Sequence, residues 1–98
     1  MNVENIRNKF YCIAIYDVRD GRVQKVHKIF KKYLKHKQYS VFLGTLLKSE
    51  FLELKNELDK VINKEEDDVC FLTTKSENEI REINLGRNVL IEEEELFF

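Results

Sequence analysis

Ninety-eight residues carry 17 Lys and Arg against 18 Asp and Glu, with three Gly, two Cys and neither Pro nor Trp; this is one domain, with a core thin enough that a partner chain would add useful burial. Hydrophobic residues at 43% beside 36% charged residues exclude a disordered tail and a collagen-like repeat. No apolar run approaches the roughly 18 residues of a membrane span, and Met1 to Lys9 has charges and no apolar stretch, so neither signal peptide nor anchor is expected and the reading is a cytoplasmic protein.

Phe10 to Tyr16 is a continuous apolar run, too short for a free-standing helix and rich in β-formers, and it predicts a central strand buried on both faces. The strand ends at Asp17, and Asp17-Val18-Arg19-Asp20-Gly21 has the turn formers of a strand-to-helix loop, with Asp20 as turn or N-cap residue. From Val23, the residues Val26, Ile29, Phe30, Tyr33 and Leu34 fall at helical spacing, with Lys25, Lys28, Lys32 and Lys35 on the other side. One face packs on a sheet; the other shows a basic stripe. Tyr39 to Leu47 reads as strand, and Gly44 inside it suggests a bulge or bend, or a broken pair. Ser49 can cap a second helix through Phe51, Leu54, Leu58, Val61 and Ile62, with Glu50 and Glu53 suited to its N-terminal end.

A polar break over 63–67 precedes another strand, Asp68 to Thr74, and Asn88 to Ile91 could form a short last one before the acidic run Glu92 to Glu95, read as a solvated tail. This order predicts an α+β ferredoxin-like plait, βαββαβ with a split middle segment. Its core spans about 10–74 of a single domain over 1–98, and about 75–98 form a C-terminal segment for strand exchange in a homodimer. The open sheet face of a plait needs a cover, and a second copy is the simplest. Cys12 and Cys70 lie in apolar runs without CxxC spacing, so two buried thiols are expected, not a zinc site or a disulfide.

Charge is divided along the chain: residues 1–48 hold 11 basic and 3 acidic groups, whereas 49–98 hold 6 and 15. Arg22, Lys25, Lys28, Lys31, Lys32, Lys35 and Lys37 lie within 22–37 without an acidic residue among them. Such a stretch calls either for a polyanion or for neutralisation by the acidic half of the fold.

Ile15-Tyr16-Asp17 at a strand end, a basic helix, and then Gln38-Tyr39-Ser40-Val41-Phe42 resemble the pattern of the CRISPR-associated Cas2 family, from about Tyr11 to Thr74. The resemblance implies a ferredoxin-like homodimer acting in spacer acquisition with the Cas1 integrase, and a magnesium- or manganese-dependent endonuclease on RNA or DNA. It places Asp17 of each protomer in the dimer cleft, where the two can share a metal, with Tyr16 before it and Arg22 as the basic residue opening the first helix. Gln24 and His36 stand where the family commonly has basic residues; Lys25, Lys35 and Lys37 could substitute in binding phosphate.

The residues themselves support related chemistry. A carboxylate ending a buried strand is rigidly held yet reaches a cleft, and Mg²⁺ borrows from substrate phosphates or a second carboxylate to complete its oxygen shell. The bland alternative for Asp17 is a turn or cap residue. His27 and His36 could act as bases near neutral pH, but with no partner at motif spacing they read as surface residues. Tyr16 and Phe42 read as packing residues around the cleft, with base stacking the lesser reading, and Ser40 could donate a hydrogen bond there. Three functions follow: a metal-dependent endonuclease with Asp17 as ligand and Arg22, Lys25, Lys28, Lys32, Lys35 and Lys37 on nucleic acid; a non-catalytic dimeric DNA-binding scaffold; or another plait protein, such as a toxin ribonuclease or small-molecule regulatory domain.

Overall fold

The computed structural model describes residues 8–86. Strand β1 (Lys9–Asp17) leads into helix α1 (Asp20–Lys31), the hairpin β2 (Lys35–Gln38) and β3 (Val41–Leu47), helix α2 (Lys48–Asp59), and β4 (Asp68–Thr74), followed by a 3₁₀ turn at Glu77–Glu79. The sheet order is β2-β3-β1-β4, and β1 pairs antiparallel with both β3 and β4. This is the expected ferredoxin-like α+β plait.

The interior lies between the sheet and the helices, where Val26, Phe30, Phe42, Leu46, Leu54 and Cys12 have almost no exposed surface. Tyr16 stacks on Phe30 at 5.3 Å and Phe30 on Phe42 at 5.1 Å, so one aromatic column locks α1 against β1 and β3. Phe10, Phe51 and Phe71 form a second aromatic group under α2. Burial pushes the Cys12 thiol up to about 11, which keeps it protonated in ordinary conditions.

Several local expectations are corrected. The strand β1 is not buried on both faces: Cys12, Ala14 and Tyr16 are buried, whereas Ile15 is 42% exposed. A continuous apolar run here serves a two-sided strand, because the face away from the helices carries Ile13 and Ile15, in register with Leu43 and Val41 on β3 and with Leu72 and Cys70 on β4. Cys70 is accordingly exposed, not a second buried thiol. Tyr11, on the same face, is nonetheless buried; it walls a cleft with Ile13, Leu43, Lys37 and the returning residues Glu77, Ile80 and Glu82.

Lys35 belongs to β2 instead of α1, and the split of the middle segment falls at Tyr39 and Ser40, with Tyr39 at a φ of 43°. The irregularity lies between His36 and Gln38. Gly44 sits within a continuous β1–β3 ladder at a φ of 158°, and a Cβ there would approach Leu34 Cδ2 to 3.2 Å, so that the Leu34 side chain would have to give way. Helix α2 follows Leu47, whose N–H donates to Glu50 Oε1 at 2.8 Å, which replaces the expected Ser49 cap. Asp20 is the first helical residue of α1, not its N-cap, which is Arg19. The short strand at Asn88 to Ile91, the acidic run Glu92 to Glu95 and most of the proposed exchange segment lie outside the described residues.

Candidate active site

Asp17 closes β1, is exposed, and lies directly opposite Asp68, the first residue of β4. Cross-strand partners project to the same side of a sheet, so both carboxylates stand at the end of the helix-free face. Ser40 joins this end of the sheet, since its carbonyl accepts the Tyr16 N–H at 3.1 Å. Strand alternation explains the placement: Tyr16 faces the core, so Asp17 must face away from it.

The connection beyond Asp17 is held by Asp67, a residue of the polar break over 63–67. Its Oδ1 accepts from the Arg19 N–H at 2.9 Å and from Arg22 Nη2 at 3.0 Å. Its Oδ2 accepts from Arg22 Nε at 2.6 Å and from the Asn63 N–H at 2.8 Å. The Asp67 side chain has no exposed surface. The Arg22 guanidinium, joined by the Arg19 and Asn63 amides, overcomes burial and holds the carboxyl well below the usual carboxylate range; Asp67 in turn raises Arg22. Glu66 adds weaker contacts to Arg19 Nε at 3.4 Å and Arg22 Nη2 at 3.5 Å. Arg22, read as a nucleic-acid contact, is therefore committed to a buried carboxylate.

The other basic candidates divide. Lys32 pairs with Glu57, which also accepts from the Tyr33 hydroxyl, and Lys37 pairs with Glu82 at 2.5 Å. Lys25, Lys28 and Lys35 are exposed and make no ion pair among the described residues. Phe42 is fully buried and packs against Tyr16, so it serves the core and not a base.

Two histidines read separately from sequence meet in the fold. The rings of His27 and His36 stand edge to face at 4.7 Å, both against Phe42. His27 Nδ1 shares a hydrogen bond with the Tyr16 hydroxyl at 3.2 Å, and His36 Nε2 donates to the Tyr39 carbonyl at 2.8 Å. Burial, with His36 and Lys31 adding to it, lowers the His27 pKa, and burial raises that of Tyr16 against an opposing hydrogen bond from Ser40. His27 is thus a half-buried packing residue, not the surface side chain expected.

Among the described residues no group of three or more His, Cys, Asp and Glu side chains is placed to hold a metal. Asp17 and Asp68 are hard oxygen donors that suit Mg²⁺ or Mn²⁺, but one protomer supplies only part of the roughly six oxygens such an ion takes. Phosphate oxygens or a second copy would have to complete the shell.

Fold and site together define a small ferredoxin-like domain with an exposed carboxylate pair at one sheet end and a lysine-rich helix. The chain belongs to the Cas2 family: the model for CRISPR associated protein Cas2 matches residues 10–80. A CRISPR-associated endoribonuclease Cas2 of Thermodesulfovibrio yellowstonii is 43% identical over 76 residues, covering 78% of this chain and 86% of the relative. The protein of the same description from Thermotoga maritima is 40% identical over 76 residues, covering 78% and 87%. A crystal structure described as cas2 superposes with a TM-score of 0.71 at 30% identity, over 86% of this chain and 97% of the other. No helix among the described residues is long and apolar enough to cross a membrane.

Proposed function

We propose that this protein is a divalent-metal-dependent endonuclease that hydrolyses phosphodiester bonds in a CRISPR system, acting as a cytoplasmic homodimer and partnering the Cas1 integrase during spacer acquisition. The observation that carries the reading is the exposed Asp17, ending a rigid central strand opposite Asp68 beside an apolar, helix-free sheet face. Relatives described as endoribonucleases make RNA the first substrate to try. A second copy seated on Ile15, Cys70 and Leu72 would cover exposed apolar surface and bring a second Asp17 near the first.

In this mechanism Asp17 would hold the metal as a carboxylate, with Asp68 beside it, and Lys25, Lys28 and Lys35 would draw the phosphate backbone across the protein. Bound Mg²⁺ or Mn²⁺ supplies a Lewis acid for the phosphoryl oxygens and lowers the pKa of a water. Tyr16, fixed by the aromatic column and by His27, keeps the strand end in register so that Asp17 is held in place for a cation without rearrangement. Lys32 and Lys37 join the binding surface by exchanging Glu57 and Glu82 for phosphate, an exchange made inexpensive by the exposure of both pairs.

The test is metal-dependent cleavage of RNA and duplex DNA by the wild type beside Asp17→Ala. Cleavage by the wild type alone supports the reading, and equal cleavage by both rejects it. The second reading, a dimeric scaffold that binds DNA without cutting it, is favoured by Gln24 and His36 at positions the family often fills with basic residues. It takes over if neither protein cleaves and both bind.

A further inference from the structure

We propose that Asp67 is the positioning residue of the Asp17 site, a buried carboxylate that fixes the β1–α1 turn and thereby the place from which Asp17 would hold a metal. The inference rests on the reading of Asp17 as the metal-holding carboxylate. Its basis is the convergence on two oxygen atoms of four hydrogen bonds from three residues, two in the β1–α1 junction and one in the connection that carries Asp67 itself. The Arg19 N–H comes from the turn two residues beyond Asp17, the Arg22 guanidinium from the first turn of α1, and the Asn63 N–H from the α2–β4 connection. Each oxygen accepts two donors, so rotation of the carboxylate breaks bonds to more than one segment. Buried Val18 pins the turn from the core side, and Asp67 closes it from the other. The next residue, Asp68, is the register partner of Asp17, so the same anchor fixes both ends of the exposed carboxylate pair.

The arrangement resembles a helix cap supplied from a distance. Arg19 is the N-cap of α1 and has no side-chain cap of its own. A carboxylate on its N–H satisfies a donor that the helix leaves orphaned and complements the positive end of the helix. A merely structural residue would lower stability and activity together. A positioning residue lowers turnover in a protein that remains folded, because a displacement of the order of 1 Å at a reacting group costs about a hundredfold in rate.

The experiment uses Asp67→Asn, with Arg22→Lys as the variant that keeps both amide bonds and the charge but loses the planar fork. Both are studied well below their own melting temperatures. Single-turnover cleavage with Mn²⁺ is compared with RNA binding, and amide hydrogen exchange is followed by NMR. The expected result for Asp67→Asn is a loss of about ten- to a hundredfold in turnover with RNA affinity unchanged. The Arg19 amide should exchange at least about tenfold faster while the Ile13 and Ala14 amides hold their rates. Arg22→Lys should fall between wild type and Asp67→Asn on both scales. Unchanged turnover together with unchanged Arg19 exchange overturns the proposal, as does acceleration shared equally by Ile13 and Ala14. Wild-type protein that does not cleave rejects the endonuclease reading instead, and the exchange data, which need no activity, then decide alone whether Asp67 orders the turn.

Discussion

Asp67 and Asp68 differ by one position, yet Asp67 is sealed under four hydrogen bonds whereas Asp68 lies exposed opposite Asp17 at the end of the sheet. One carboxylate has spent every lone pair on the protein's own donors and is the stronger acid for it. The other pair faces solvent on the side that carries no helix. The difference separates what holds this end of the molecule together from what it leaves available to a cation. Strand alternation sets it: leaving the loop at Asp67 and entering β4 at Asp68 turns successive side chains to opposite environments.

The largest expected effect on this comparison is functional. Asp17→Asn keeps the shape of the side chain and removes its charge, so metal-dependent cleavage should disappear while circular dichroism and the mass in solution remain those of the wild type. Next comes stability. Asp67→Ala strands the Arg22 guanidinium and two backbone amides beside a vacated site, whereas Asp68→Ala removes an exposed charge facing another of the same sign. Urea midpoints should fall clearly for the first and hold or rise slightly for the second. Equal changes would erase the distinction drawn between the two residues.

Acid titration sharpens it further. Asp67 has a folded pKa below its ordinary value of 3.8, so its stabilisation is present above about pH 4 and is lost as pH falls towards the folded value. His27 is also lowered, from 6.5, which favours its neutral form in the fold; its stabilisation is complete above about pH 6.5 and erodes as pH drops through the folded value. Wild-type stability should therefore decline in two stages on acidification, with His27→Gln removing the upper one and Asp67→Asn diminishing the lower, to which Glu57 and Glu82, also held below their ordinary range by their partners, contribute as well. A smaller effect belongs to the lysines. Lys28→Ala should flatten the salt dependence of duplex-DNA binding by about 0.9 in log–log slope, as expected for one lost phosphate contact. Lys32→Ala should flatten it less, because Glu57 already neutralises that ammonium. Identical slopes for wild type and both variants would make the stripe a solvated face only.

The sequence exposes those parts of the fold that depend on local pattern. The apolar run of β1, the helical spacing of Val26, Phe30, Leu54 and Leu58, and the Asp68–Thr74 strand are each legible because a short window contains the signal. Strand β2 is not, since Lys35 to Gln38 are all exposed at a sheet edge and offer no apolar alternation. Asp17 could be singled out from its place at a strand end and from the Tyr16-Asp17 pattern. The commitment of Arg22 to Asp67 could not, because 45 positions separate the partners and Asn63 to Asp67 looks like any polar loop. The meeting of His27 with His36 is hidden for the same reason, the two lying on different elements that only the fold brings together. An acidic residue left between a helix and a strand, facing a basic residue at the start of another helix, is the one signal that could have suggested the clasp.

The most direct measurement is the melting temperature of wild type and Asp17→Asn with and without Mn²⁺. Close carboxylates repel until a cation relieves them, and a ligand that binds only the folded state raises its stability by mass action. Mn²⁺ should raise the melting temperature of the wild type and not that of Asp17→Asn, with the metal-free variant at least as stable as the metal-free wild type. An equal rise in both proteins, or none in either, would contradict the assignment of the metal to Asp17.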